Sequence, residues 1–112
     1  MNKEENKQLT FDGGVTEQQV EQWKAKHRKV TRIDVLDGEE LHVGYFKRPT
    51  MEIMAAVTKI AKTDEVKSSQ TLFDGCWLGG SEEMRHDGVL FVATVAQLNQ
   101  AFAQCMGSVK NL

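Results

Sequence analysis

The feature that most constrains the fold is a pair of alternating, β-branched segments, residues 30–36 (VTRIDVL) and 41–47 (LHVGYFK), around Asp37-Gly38-Glu39-Glu40. A period of two is the pattern of a half-buried strand, and the Asp-Gly between the runs makes them a β-hairpin. If one face is buried, Ile33, Val35, Leu41, Val43 and Tyr45 belong on it together. That requires Val35 opposite Leu41 and Ile33 opposite Val43, with a three- or five-residue loop in which Gly38 takes a positive φ. A two-residue turn would split the apolar set between the faces. The other face then carries Arg32, Asp34, His42 and Gly44, but also Phe46. A phenylalanine there either packs beneath the tail or a helix, or stands open to a partner.

A lone hairpin is marginal in water, so this one needs helices against it. The flanking sequence supplies them. Thr16 and Gln19 form a capping box, with Val15 and Val20 at the staple positions, and start a helix that runs to about Lys26. Val20, Trp23 and His27 share one of its faces. Arg48-Pro49-Thr50 ends the second strand, and Thr50 caps a helix striped by Ile53, Met54, Val57, Ile60 and Ala61. Thr63-Asp64 opens a third helix over 65–78, with Val66, Ser69, Phe73, Cys76 and Trp77 on one side and Gly79-Gly80 as its stop. After a charged loop from Ser81 to Asp87, a fourth helix over 88–105 repeats Phe91, Thr94, Val95, Leu98, Phe102 and Cys105. The expected architecture is α+β: an N-terminal helix, one β-hairpin, then three helices packed on the hairpin. Its single domain spans 15–107, between a polar tail and turn at 1–14 and a C-terminal tail at 108–112.

A chain of 112 residues suits one core. Its 40% hydrophobic and 27% charged residues exclude both a disordered chain and a membrane-spanning one. The net charge of −2 offers no bulk attraction to nucleic acid or anionic lipid. The basic cluster of Lys24, Lys26, His27, Arg28, Lys29 and Arg32 begins at a helix C-terminus, where cations complement the dipole, and only Trp23 lies near it as a stacking aromatic. The N-terminus (MNKEENKQL) has no apolar segment of the secretory kind. Cys76 and Cys105, on apolar helix faces, read as reduced core thiols in a reducing cytoplasm, the alternative being a bridge between two packed helices.

Catalytic and metal chemistry finds little support. His27, His42, His86, Cys76 and Cys105 are at none of the spacings of a zinc motif, and His86 beside Glu82, Glu83 and Asp87 reads as a solvated loop. Phe73, Trp77 and Leu78 give Cys76 an apolar setting, which raises a thiol pKa and makes it inert. Gly13-Gly14 and Gly79-Gly80 lack the spacing and lysine of a phosphate loop. No catalytic residue, metal or cofactor is expected.

The order of features is distinctive: a TEQQVEQWKAKH helix, a hairpin ending in Arg48-Pro49-Thr50, a helix, Thr63-Asp64, then LFDGCWLGGSEE. Over roughly residues 16–102 it resembles the small tail assembly chaperones of long-tailed, lambda-like siphovirus bacteriophages and prophages. The resemblance implies a non-enzymatic protein of the infected bacterial cytoplasm that is absent from the mature virion. It would bind the tape measure protein, a very long and partly apolar helical chain, and help recruit major tail subunits. A frameshifted longer form would contact the major tail protein, making these 112 residues the short form. Such a chaperone must present an apolar groove, with self-association through it when no client is bound. Phe46, Trp77 and Leu78 are the candidates for its lining, with Met51 and Met54 as adaptable neighbours, although Trp77 and Met54 also suit a core. The alternative is a virion structural component such as a head–tail connector or minor tail protein; a small enzyme or nucleic-acid regulator is a distant third.

Overall fold

The structure, a computed structural model, describes residues 8–112. Its elements are β1 (Leu9–Phe11), α1 (Glu17–Lys26), β2 (Val30–Asp37), β3 (Glu40–Lys47), α2 (Met51–Ala61), α3 (Glu65–Cys76), β4 (Trp77–Gly80), α4 (Glu83–His86) and α5 (Gly88–Phe102). The class is mixed α+β, as expected. The strand count is not: four strands form one sheet, where a single hairpin was predicted. β3 is its spine. β2 pairs antiparallel along one side of β3. Its other side is shared by β1, parallel from Glu40 to His42, and β4, antiparallel from Gly44 to Phe46. The polar tail assigned to 1–14 therefore contains a strand of the sheet. The third helix stops at Cys76, and the Trp77–Gly80 segment read as its last turn is extended. The last helix ends at Phe102, which leaves Cys105 exposed.

The hairpin register also differs. Val35 stands opposite His42, Leu36 opposite Leu41, and Ile33 opposite Gly44, with Asp37 and Glu40 closing a two-residue turn. Gly38 does take a positive φ, 61°, and every non-glycine φ is negative among the described residues. A positive φ at the first of two loop positions only is the type II′ turn, whose twist matches the strands it joins. The apolar residues are thus divided between two faces, and the sheet accepts this because the second is partly covered at β3, while Arg32, Asp34 and Leu36 of β2 stay exposed on it. Ile33, Val35, His42 and Phe46 face a core completed by Leu72, Phe73, Cys76, Met84, Leu90 and Leu98. On the other face Val43 is 1% exposed, and Trp23 of α1 lies over Tyr45 with ring centroids 5.6 Å apart.

Local signals hold the helices in place. Thr16 accepts from the Gln19 N–H and Gln19 accepts from the Thr16 N–H, closing the capping box. Thr50 caps α2 through the Ile53 N–H, and Asp64 caps α3 through the Lys67 N–H. α2 has no fully buried residue and packs chiefly on α3, where the Ser68 hydroxyl donates to the Val57 carbonyl at 2.8 Å. That contact turns α3 so that Ser68, Leu72, Phe73 and Cys76 are its buried residues, while Val66, expected inside, is 66% exposed. Among the described residues no helix is long and apolar enough to cross a membrane.

Candidate functional site

The five residues expected to line one groove occupy three different places. Phe46 is fully buried, which removes it as a surface residue. It meets Phe73 edge to face at 5.2 Å and Trp77 at 5.4 Å. Trp77 is half-buried, stacked on Phe73 at 5.3 Å and 18°, with the Arg85 guanidinium 5.5 Å over its ring. Both aromatics are inner-wall residues: the split register turns Phe46 towards α3, and β4 brings Trp77 beside it. Leu78, half-buried, is the extra residue of a β-bulge, since Trp77 pairs with Phe46 and Gly79 with Tyr45. Met51 and Met54 alone lie on an open surface, 86% and 40% exposed. They line a shallow depression of about 430 Å³ with Ala55, Thr58, Lys59 and Lys62 of the same helix and its cap.

A second apolar surface lies where the start of α3 approaches the start of α5. It is a cleft of about 420 Å³ lined by Val66, Ser69 and Gln70 on one side and Gly88, Phe91 and Val92 on the other, with Glu65, Arg85 and His86 at its margin. Val66 and Val92 are each 66% exposed, and Val89, also on α5, is 75% exposed. Asp87 sets this helix start by accepting from the Val89 and Leu90 N–H groups. The other side of α5 is anchored by buried Leu90, Thr94 and Leu98, so the valines are left outward by the helical period. Periodicity places Val66 in the interior and marks neither Val89 nor Val92, because a cleft between two helix starts is a product of tertiary approach.

The polar centre of the fold is His42, expected on a polar sheet face and instead fully buried. Its Nδ1 lies 2.7 Å from Ser81 Oγ, its Nε2 lies 3.0 Å from Glu40 Oε1, and Phe11 of β1 stacks on its ring at 5.0 Å. Neutral imidazole satisfies this arrangement when Nε2–H donates to the carboxylate and the Ser81 hydroxyl donates to Nδ1. Glu40, His42 and Glu83 also bring one ligand atom each within 4.8 Å of one another, a set that could hold a divalent cation. Both ring nitrogens already have partners, and the network is complete without an ion. Ser81 is only 4% exposed, so its hydroxyl serves as a partner for His42 and not as an accessible nucleophile. In the basic cluster, Trp23 is half-buried against Tyr45, which takes away the stacking platform that single-stranded nucleic acid would use.

Cys76 and Cys105 are both free, the first buried and the second exposed. Burial pushes the Cys76 thiol from 9.0 up to about 11, against a smaller opposing pull from the Lys47 charge. This is the inert setting expected for it. Thiol reagent at pH 8 should therefore label Cys105 at once and Cys76 only after unfolding. Because the folded thiol holds its proton to a higher pH than the unfolded one, its contribution to stability should be level below pH 9 and fall between about pH 9 and 11. A Cys76→Ala variant should lack that alkaline decline in urea melts.

No family model, curated protein or solved structure matches this chain.

Proposed function

We propose that the protein is a non-enzymatic tail assembly chaperone, one that keeps a tape measure protein soluble and helps recruit major tail subunits in the bacterial cytoplasm. The observation that carries this reading is the open cleft between α3 and α5, with Val66 and Val92 exposed around half-buried Phe91. Two exposed β-branched residues beside a phenylalanine give an apolar helical stripe a surface to lie against. Met51 and Met54 on α2 add a second adaptable patch, suited to a client whose apolar repeats vary along its length. The ordered set of hairpin, Arg48-Pro49-Thr50 and Cys76-Trp77-Leu78-Gly79-Gly80 supplies the resemblance that names the client.

The test is co-production with the product of the long open reading frame expected beside the gene. The long chain should move from the pellet to the soluble fraction when this protein is present. Val92→Glu, on an exposed position, should leave the thermal midpoint unchanged and weaken capture about tenfold or more, because a desolvated carboxylate on an apolar contact costs over ~1.4 kcal/mol. A partner equally soluble without this protein would end the proposal. Recovery of the polypeptide from purified virions would favour a structural tail component instead.

A further inference from the structure

The sheet has an open edge. β3 is paired on both sides, but β2 pairs with β3 alone among the described residues. The Val43 carbonyl accepts from the Ser81 N–H at 2.9 Å, so the backbone polar groups of Val43 point away from β2. Asp34, directly opposite Val43, therefore turns its own N–H and C=O away from β3. The ladder has no irregularity along β2, so the alternation extends to Val30, Arg32 and Leu36. Four residues thus aim donors and acceptors outward. A cleft of about 180 Å³ follows this edge, lined by the consecutive residues Thr31 to Asp34 and by Gln97 and Gln100 of α5.

We propose that β2 is the seam of a homodimer, in which a second copy of this chain pairs antiparallel to it with Ile33 on the two-fold axis. The order of charges along the strand argues for that occupant. With Ile33 central, Arg32 lies opposite the partner's Asp34, Val30 opposite the partner's Leu36, and Lys29 opposite the partner's Asp37. Each of these pairs shares a face, and the Arg32–Asp34 and Val30–Leu36 pairs use only residues whose backbone groups point outward. Within one chain Arg32 and Asp34 already form an ion pair at 2.7 Å on the exposed face, so two copies would alternate four charges around the axis. A slip of two residues either way places arginine against arginine or aspartate against aspartate, which selects the register. Charges on an edge strand ordinarily repel a neighbour; here their order makes the edge complementary to itself, as an isologous interface requires. The seam uses no residue of the α3–α5 cleft, so the client-binding proposal and this one fail separately.

Sedimentation of the full chain over a concentration series tests it. The wild-type protein should shift from monomer to dimer as concentration rises. Arg32→Asp and Asp34→Arg each set like charges across the axis, and each should sediment as monomer while keeping a wild-type circular dichroism spectrum. An equal mixture of the two variants sets acidic residues of one chain against basic residues of the other, and it should regain the wild-type dimer fraction as a heterodimer. Leu36→Pro, at an outward-facing N–H that the β2–β3 ladder does not use, should abolish the dimer without touching the charges. A wild-type protein that stays monomeric at its highest soluble concentration, single variants that dimerise as well as wild type, or a mixture that remains monomeric would overturn the proposal.

Discussion

Phe46→Ala is expected to destabilise the fold by about 3–5 kcal/mol, the usual cost of emptying a large aromatic site. For a domain of this size that is at least about a fifth of a typical total stability of ~5–15 kcal/mol. The side chain is fully buried, and its ring is held edge to face by Phe73 and Trp77 at 5.2 and 5.4 Å. Aromatic pairs of this geometry add to area burial, so the loss exceeds the transfer term alone. The surrounding wall also collapses poorly, because Gly44 beside it already receives the Phe46 and Trp77 rings close to its backbone. Urea melts followed by tryptophan emission should show a lower midpoint together with altered emission from Trp77. Met51→Ala, at a position 86% exposed, should move the midpoint by less than about 0.5 kcal/mol. The contrast separates two roles that the bare sequence left open for Phe46. A partner-facing phenylalanine would give a stable variant defective in binding, and a wall residue gives an unstable one.

The same residue shows why part of this fold was legible and part was not. Helix starts were legible because their chemistry is local: Thr16 with Gln19, Thr50 and Asp64 cap the helices they were expected to cap. Gly38 was legible for the same reason, since a positive φ needs no knowledge of the rest of the chain. The register was not. The alternation implies one buried sheet face, whereas the second is also partly covered, where Trp23 of α1 lies over Tyr45. With the β3 part of that face covered, the split leaves only Leu36 outside at 60% exposed, and Phe46 and His42 move inside together. β1 and β4 were hidden because three and four residues carry no readable alternation, and because Gly79-Gly80 is equally the end of a helix and the end of a strand. The candidate surface followed the same rule. Met51 and Met54 lie where a stripe leaves a helix's outer face, but the valine cleft exists only because the starts of α3 and α5, at Glu65 and Gly88, approach each other in space, which no periodicity encodes.

Gly80→Ala should be severely damaging for the addition of a single methyl group. Gly80 has φ 140°, a conformation that L side chains rarely adopt, and its backbone lies directly against β3. An added Cβ would run into the Val43 carbonyl oxygen and come within 2.7 Å of the Gly44 Cα. Both obstacles are backbone and cannot swing aside. The strand must give way instead, and the Ser81 N–H bond to the Val43 carbonyl, 2.9 Å long, goes with it. Displacing Ser81 also withdraws the hydroxyl that sits 2.7 Å from His42 Nδ1, leaving a buried ring nitrogen unsatisfied. Backbone strain and overpacking each contribute about 1–3 kcal/mol, so a total of ~2–6 kcal/mol is expected. Gly88→Ala serves as the control, because a Cβ there meets nothing within 4 Å and its φ is not positive. Amide exchange at Ser81 reports the cause apart from the total. In the Gly80 variant that amide should exchange far faster than those of the β2–β3 ladder, and equal exchange in both regions would show that β4 is not held through this contact.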